Sequence, residues 1–483
     1  MTISTASKLI DGNKSRRLLR VLALASLLFA SWLPIGAAAQ VTATWQQVPA
    51  TTPPSWRGWT VMTWVGSLNK IVLWGGSGGA YLNDVSSFDP VNLSWTNIEP
   101  NDSCVGNTSL VIPNGTDESG VVFDPINNYL WISHGGSGYR CGTPQQVGRI
   151  AGAGTTSTSI VDLTLTGATL DFYKDWSVRK NDVVAQVTAY DPVNKVLSLS
   201  VPLGVASGAT YDLYGDFGQG TWSYDFSTRQ YSKLDAFHWG YTGLPAPLRR
   251  SPGFAGDGTR AFMFGGADWD NAVYKLDFAT KAYTLVLAGS ATRPPARKEI
   301  ENQFVYDSIN NRFVVFGGYC GDPTRCSYPN AINDTWIYDP QANSWTQVSS
   351  PISPPARATA QMYFDSARGV VVLFGGVPAD GAAALNDLWI FDVATQMWTE
   401  LALPATNPGS VFLGQVAFAP STGCGYLFGG LVAPSVLQGS TWQLCLSSPL
   451  QALISPAVLA GTINVPLNFS GDPLRRGILA LAR

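Results

Sequence analysis

Four arginines follow proline-containing segments at separate places in the chain and could act together on an anionic ligand. Pro294-Pro295-Ala296-Arg297 and Pro354-Pro355-Ala356-Arg357 are near copies, and looser versions end at Arg57 and Arg250. A guanidinium binds a carboxylate through two parallel hydrogen bonds, so a cluster of arginines would attract a carboxylate or another anion. Internal pairing of the same arginines is the alternative, because a guanidinium has five N–H donors to satisfy.

A second group of candidates is the aromatic segment His238-Trp239-Gly240-Tyr241. His238 could act as an acid or a base, since the unperturbed pKa of histidine is near neutrality. Trp239 and Tyr241 could stack on a sugar ring. The alternative is that His238 is an ordinary residue of a surface loop.

A repeated unit must position these candidates, and Gly-Gly pairs identify it. The pairs follow short apolar runs at Gly75-Gly76, Gly135-Gly136, Gly265-Gly266, Gly317-Gly318, Gly375-Gly376 and Gly429-Gly430. After most pairs, two apolar or aromatic residues occur seven positions apart: Phe88/Trp95, Tyr224/Tyr231, Leu276/Tyr283, Tyr338/Trp345 and Phe391/Trp398. A constant spacing between loops of variable length indicates one supersecondary unit repeated in an array.

This pattern resembles the kelch repeat, the four-stranded blade of a β-propeller, from about Trp45 to Leu446. The resemblance implies antiparallel strands a to d in each blade, with strand b running into Gly-Gly. The last unit lacks a strand d, and Thr44–Val48 looks like the strand d segment Ser344–Val348. We therefore predict an all-β fold, a six-bladed kelch-type β-propeller closed by the N-terminal strand.

On the strand order that the resemblance implies, the d–a and b–c loops share one face, the loop face. It carries the long loops 97–117, 137–220, 233–250, 287–297 and 319–333. Strand a lines the central channel, and the four arginines converge at its mouth. Gln303, Gln361 and Gln415 align along strand a, and Glu301 and Glu118 align with Thr359. These polar residues are candidate ligand contacts, with the binding of ordered water as the alternative.

The same strand order pairs the six cysteines. It predicts the disulfides Cys104–Cys141, Cys320–Cys326 and Cys424–Cys445. Three disulfides indicate an oxidising compartment. We expect no metal and no cofactor, since Cys-x-x-Cys spacing does not occur and every cysteine has a predicted partner.

Residues 1–39 are predicted to be a signal peptide. A basic region precedes the apolar run Val21–Leu33, and Ala37-Ala38-Ala39 forms a cleavage signal before Gln40. Ser15-Arg16-Arg17-Leu18-Leu19 partly resembles a twin-arginine signal, which is the alternative export route. No later stretch approaches the length of a membrane span. We expect a periplasmic or extracellular protein.

The predicted propeller covers residues 40–446, with a β-rich segment, 139–218, inserted in its second blade. Strand-like runs within the insertion are 183–189, 196–199 and 210–213. The insertion is either a decoration or a recognition element. Residues 447–483 form a tail or the start of an incomplete β-domain.

The predicted function is binding of a protein or a glycan through the loop face, without catalysis. A net charge of −3 and 13% charged residues argue against nucleic acid. The alternative is a sugar-modifying enzyme at the channel mouth, similar to exported sialic-acid epimerases, in which Arg, Glu and His matter. A galactose-oxidase-like enzyme is disfavoured, because that copper site needs two well-placed histidines and a cysteine crosslinked to tyrosine. The sequence leaves the ligand and the oligomeric state open.

Overall fold

The structure is a computed structural model that describes part of the chain. The described residues are 41–101, 118–133, 146–167, 173, 176–180, 183–214, 221–234, 250–266, 271–326, 330–379, 382–432 and 436–447. Every regular element in these residues is a β-strand, so this part of the protein is all-β, as predicted. Within it, no helix is long and apolar enough to cross a membrane.

The chain divides into two compact units. The larger is Ala43–Leu446, which contains all of the described strands. The other combines Met1–Thr42 with Ser447–Arg483, and in it Thr42 N donates to Ser447 Oγ at 2.9 Å. The predicted signal peptide and nearly all of the predicted tail lie outside the described residues.

Short strands rich in Val, Phe, Trp and Tyr build the larger unit, because β-branched and aromatic side chains suit a pleated, half-buried surface. The first strands are β1 (Ala43–Val48), β2 (Val61–Val65), β3 (Lys70–Ser77), β4 (Tyr81–Asp89), β5 (Ser94–Glu99), β6 (Gly120–Asp124), β7 (Tyr129–Ser133), β8 (Gln146–Ile150), β9 (Ser159–Val161), β10 (Ser177–Lys180), β11 (Val183–Asp191), β12 (Val196–Leu199), β13 (Thr210–Tyr214), β14 (Thr221–Asp225) and β15 (Gln230–Lys233). The later strands are β16 (Gly253–Gly256), β17 (Arg260–Phe264), β18 (Val273–Asp277), β19 (Ala282–Leu287), β20 (Arg297–Lys298), β21 (Phe304–Asp307), β22 (Arg312–Phe316), β23 (Tyr319–Cys320), β24 (Thr335–Asp339), β25 (Ser344–Gln347), β26 (Gln361–Asp365), β27 (Val370–Phe374), β28 (Leu388–Asp392), β29 (Met397–Leu401), β30 (Gln415–Ala419), β31 (Cys424–Phe428) and β32 (Thr441–Leu446).

Most of these strands belong to antiparallel sheets of four. Sheet 1 has the order β2-β3-β4-β5, sheet 2 β6-β7-β14-β15, and sheet 3 β16-β17-β18-β19. Sheet 4 has the order β21-β22-β24-β25, sheet 5 β26-β27-β28-β29, and sheet 6 β30-β31-β32-β1. β20 pairs with β23 alone, and β8 to β13 form a separate six-stranded sheet.

The first strand of each four-stranded sheet, its inner strand, contacts the inner strands of two other sheets. The contacts run through β2, β6, β16, β21, β26 and β30 and return to β2, so these strands enclose a channel. Each is preceded by a residue with left-handed backbone, with φ from 51° to 59°: Trp59, Glu118, Ser251, Glu299, Thr359 and Leu413. Such a backbone costs a non-glycine residue on the order of 1 kcal/mol. Hydrogen bonds between these residues hold it in place, as from Trp59 N to Leu413 O at 3.1 Å.

The N-terminal strand β1 is the outer strand of sheet 6. It pairs with β32 along its whole length, from Ala43 opposite Leu446 to Val48 opposite Thr441. The Trp45 ring packs on Phe374 of sheet 5, with ring centroids 5.0 Å apart. The equivalent contacts in other sheets are Trp345–Phe264, Trp398–Phe316 and Trp95–Phe428. β1 therefore has the aromatic contact that the outer strands of sheets 1, 4 and 5 make.

The Gly-Gly pairs at 265–266, 317–318, 375–376 and 429–430 lie where the backbone of one sheet meets that of the next. Gly317 and Gly318 have φ of 66° and 95°, a conformation that glycine adopts without steric cost. A Cβ on Gly317 would lie 2.3 Å from Arg357 O, and Gly318 N donates to that oxygen at 2.8 Å. Equivalent bonds run from Gly266 N to Arg297 O, from Gly376 N to Val411 O and from Gly430 N to Arg57 O. Any side chain at these positions would push neighbouring sheets apart.

The six-stranded sheet lies between β7 and β14 along the chain and has the order β8-β13-β10-β11-β12-β9. Its strands β11, β12 and β13 coincide with the runs predicted at 183–189, 196–199 and 210–213. The sheet has its own hydrophobic core, in which the rings of Tyr173 and Tyr190 lie 4.6 Å apart. Both ends of the predicted insertion 139–218 lie outside the described residues.

Candidate functional site

Three of the four candidate arginines lie in buried ion pairs at the start of the inner strands. The pairs are Arg57–Asp84, Arg297–Asp334 and Arg357–Asp387. Each aspartate follows an asparagine at or just before the third strand of its sheet. The structure thus gives these arginines the internal pairing that the sequence left open as the alternative to a ligand site.

Arg357 illustrates how its guanidinium is used. Nη1 and Nη2 donate to the two carboxylate oxygens of Asp387 at 2.6 and 2.7 Å. Nη1 also donates to Gly375 O at 2.9 Å, and Nε donates to Pro355 O at 3.0 Å. The side chain is 0% exposed. An anionic ligand would have to displace Asp387 from a guanidinium that is itself fully buried.

Burial and the arginine partners shift the pKa values of the paired aspartates in opposite directions. Burial favours the protonated form of Asp387, but the hydrogen bonds and charge of Arg357 outweigh it, and the pKa of Asp387 lies below its ordinary value. Burial raises the pKa of Asp334, whereas the charge and hydrogen bonds of Arg297 lower it. The pKa of Asp334 therefore also lies below its ordinary value. Both pairs are therefore ionised at neutral pH, and each ties the start of an inner strand to the Gly-Gly loop and the third strand.

Arg250 differs from the other three arginines. Its side chain is 52% exposed and pairs with Glu118. Nε donates to Glu118 Oε2 at 2.8 Å, and Nη2 donates to Oε1 at 2.9 Å. Because Glu118 precedes β6 and Arg250 precedes β16, this pair joins sheets 2 and 3 at the channel mouth. Arg250 is the candidate arginine that solvent reaches most readily.

The three glutamines of the inner strands lie at equivalent places but have different partners. Gln303 Nε2 donates to Phe316 O at 2.7 Å, and its Oε1 accepts from Ala360 N at 2.9 Å. Gln303 is therefore a bridge between sheets 4 and 5. The Oε1 atoms of Gln361 and Gln415 are buried without a hydrogen-bond partner in the described structure.

Glu301 lies in a lead-in segment that is two residues longer than its equivalents. The sequence alignment matched Glu301 with Thr359, but the structure places Glu299 there. Glu299 and Thr359 both have left-handed backbones, and Thr359 N donates to Glu299 O at 3.1 Å. The additional residues, Glu301 and Asn302, line the channel, where Asn302 Nδ2 donates to Gly414 O of sheet 6 at 3.2 Å. One sequence alone cannot locate this two-residue insertion, because aligning Thr359 with Glu299 or with Glu301 preserves the strand pattern equally well.

Glu118, Glu299 and Glu301 form a group of carboxyls at this end of the channel. Burial raises the pKa of Glu299 to about 7, and the charge of Glu118 adds to the effect. Burial and the charge of Glu299 raise the pKa of Glu301 well above its ordinary value. Lys298 Nζ, 3.7 Å from Glu299 Oε1, offsets part of this repulsion. Among the described residues, no group of three or more His, Cys, Asp and Glu is arranged to hold a metal ion.

Trp56 is an exposed residue that the sequence analysis did not single out. It lies on the loop face between β1 and β2 and is 52% exposed. A Cβ on Gly78 would lie 2.3 Å from Trp56 O, and one on Gly439 would lie 3.2 Å from Trp56 Cα. Val436, in the same loop as Gly439, is 55% exposed. The sequence signal that could have identified Trp56 is its place directly before the arginine, where the equivalent segments have Ala296 and Ala356.

Several other candidates lie outside the described residues, namely His238, Trp239, Tyr241, Cys104 and Cys141. Their predicted roles stay predictions. Cys320 and Cys326 lie within disulfide distance, and so do Cys424 and Cys445, as the strand order predicted.

Parts of this chain are similar in sequence to known proteins. The family model described as "KLHDC2/KLHL20/DRC7 Kelch-repeats domain" matches residues 213–430. Host cell factor 1 of Homo sapiens is 27% identical over 172 residues, which cover 32% of this chain and 8% of that protein. Kelch domain-containing protein 10 of Rattus norvegicus is 24% identical over 182 residues, which cover 35% of this chain and 40% of that protein. The chain therefore spans less than half the length of these relatives. The Gly-Gly pairs, the aromatic spacing and these matches agree that residues 213–430 contain kelch repeats.

Proposed function

We propose that the six four-stranded sheets are the blades of a kelch-type β-propeller, which β1 closes. The cyclic contacts of the inner strands and the pairing of β1 with β32 support this arrangement. We also propose that the six-stranded sheet is an insertion in the second blade, since it lies between the second and third strands of sheet 2. A closed propeller leaves its loops as the variable surface.

The propeller acts, in this proposal, as a protein-binding module through its loop face. The observation that carries it is the exposed Trp56, whose backbone is held between the glycine-containing loops of Gly78 and Gly439. Tryptophan is enriched among residues that dominate binding energy, because it offers a large rigid surface. A fixed backbone lowers the ordering cost of binding. Val436 adds apolar surface in the adjoining loop.

The competing hypothesis is a sugar-modifying enzyme at the channel mouth. Three of the four arginines that it would use for an acidic sugar are buried in ion pairs, which favours the binding module. Glycan binding through Trp239 and Tyr241 is a distinct outcome of the test below.

We expect Trp56→Ala to weaken peptide binding by about 2 kcal/mol, as the loss of a central aromatic contact does. Peptides would be selected from a random display library on the natural protein, and their affinities would be measured for both proteins. The matched control is Ile309→Ala, because Ile309 is 61% exposed on the turn between β21 and β22, on the opposite face.

Selected peptides that bind the Trp56 and Ile309 variants equally well would exclude the Trp56 patch. A glycan array forms the second arm of the experiment. Binding of a glycan that is lost in Trp239→Ala and Tyr241→Ala, but kept in Trp56→Ala, would favour the glycan-binding alternative instead.

We further propose that the protein is exported. The basic and apolar regions of residues 1–39 and the cysteine pairs within disulfide distance support this. Expression of the whole chain in a bacterial host with an oxidising periplasm should yield a product whose first residue is Gln40. N-terminal sequencing of the periplasmic fraction checks the site, and a product that keeps its first 39 residues in the cytoplasm would contradict export.

A further inference from the structure

The inner strands enclose a cavity of about 420 Å³. Turn residues such as Pro125 and Ser308 line one end of it. Glu301, Asn302 and Gln415 line the other end, where the bond from Asn302 Nδ2 to Gly414 O crosses the channel. The turns follow the inner strands, so the cavity is reached from the face opposite to the loop that carries Trp56.

The walls of this cavity are largely apolar and aromatic. Trp64, Phe123, Phe364 and Phe418 line it, and the first three are only half-buried. An aromatic face carries partial negative charge and attracts a cation placed over it. The volume lies within the range of small-molecule sites, roughly 300–1,000 Å³.

A carboxyl without a paired cation and an amide oxygen without a donor lie at the inner end of the cavity. Glu301 is the one charged residue among the described residues that line the cavity. No cation in the described part of the chain pairs with it, whereas Glu118 is paired with Arg250. Gln415 is 5% exposed, and its Oε1 has no partner there. A buried acceptor without a donor is costly, and so is a buried carboxylate without a cation, so a cationic ligand that supplies donors would gain binding energy here.

We propose that this cavity binds a small organic ammonium. The aromatic walls would hold its apolar or aromatic body, and its N–H groups would donate to Glu301 and Gln415. An ammonium carries several donors and a positive charge, which suit the unpaired carboxyl of Glu301, the free Oε1 of Gln415 and the aromatic faces. This site lies on the face opposite to the proposed protein-binding patch and is independent of it.

Binding of such a cation is linked to the release of a proton. Burial and the charges of Glu299 and Glu118 raise the pKa of Glu301 well above its ordinary value, which favours the protonated form while the cavity is empty. Arg250 pairs with Glu118, and Lys298 faces Glu299, so both cations are engaged with the neighbouring carboxyls. A cationic ligand favours the carboxylate form of Glu301 and displaces its proton. Affinity should therefore rise with pH.

Calorimetric titration with tryptamine and tryptophol tests the proposal. The two molecules share the indole ring and chain length, but tryptophol has a hydroxyl group where tryptamine has an ammonium. We expect the natural protein to bind tryptamine about tenfold more tightly than tryptophol at pH 8, and the preference to shrink at pH 6. Glu301→Gln should remove both the preference and its pH dependence. Phe364→Leu should weaken tryptamine more than tryptophol.

Glu400→Gln is the matched control, since Glu400 is an exposed carboxylate on the outer strand β29. It should bind tryptamine as the natural protein does. Glu301→Gln imitates the protonated side chain, so its thermal unfolding should show an intact fold. The proposal is overturned if tryptamine shows no saturable binding at millimolar concentration, if tryptophol binds equally well, or if Glu301→Gln binds tryptamine unchanged.

Discussion

Replacing Arg357 by Ala should lower the free energy of unfolding by about 3–5 kcal/mol, the usual cost of removing one partner of a buried ion pair. The variant leaves the Asp387 carboxylate without its cation and Gly375 O without its donor. Chemical denaturation of the natural and variant proteins measures the difference. Arg250→Ala is the control, because Arg250 is more than half exposed and its pair should contribute less than about 1 kcal/mol.

Removing both charges separates the cost of an unpaired carboxylate from the loss of the pair itself. Arg357→Met combined with Asp387→Leu should recover part of the stability, since neither charge is then left alone. Recovery should be incomplete, because Trp389 Nε1 loses its acceptor on Asp387. A change of less than 1 kcal/mol for Arg357→Ala would show that the arginine is dispensable for folding and would restore it as a ligand candidate.

Acid should reduce the difference in stability between the natural protein and Arg357→Ala. The pKa of Asp387 is lowered in the folded protein, so its contribution to stability is complete above the ordinary carboxyl pKa, roughly 3.9. That contribution disappears as the pH falls through the lower folded value. The natural protein and Arg357→Ala should therefore differ less in stability at the lowest pH at which both remain folded.

The repeat was readable from the sequence because each of its signals is local. In sheets 3 to 6 Gly-Gly follows the second strand directly, and the two aromatics face each other across one hairpin, as Tyr338 and Trp345 do. The N-terminal strand was recognisable because Trp45 keeps the sequence context of a strand d. The physical need for glycine was not readable, since the carbonyl that approaches Gly317 belongs to Arg357, in the next sheet.

The role of the arginines was ambiguous because their partners are distant in sequence. Asp84, Asp334 and Asp387 lie 27, 37 and 30 residues after their arginines. Their common signal is the dipeptide Asn-Asp at or before the third strand of sheets 1, 4 and 5. An arginine that recurs together with a distant aspartate suggests a structural pair, whereas Arg250 has Glu118 of another sheet as its partner.

Deleting residues 40–50 should prevent the protein from remaining a folded monomer. The deletion removes β1 and exposes the edge of β32, whose unpaired N–H and C=O groups can pair with another chain. It also uncovers Phe374, on which Trp45 packs, and loss of such an aromatic contact alone costs roughly 3–5 kcal/mol. Size-exclusion chromatography with light scattering and thermal unfolding measure the outcome.

The control is a chain that starts at Gln40 and retains β1, which should be monomeric at the same concentration if closure is the cause. A synthetic peptide of residues 40–50, added to the deletion variant, should pair with β32 and raise its melting temperature. Replacing Trp45 by Ala within this peptide should abolish the rescue, because the backbone pairing remains but the contact with Phe374 is lost. A monomeric deletion variant with an unchanged melting temperature would contradict the view that β1 completes sheet 6.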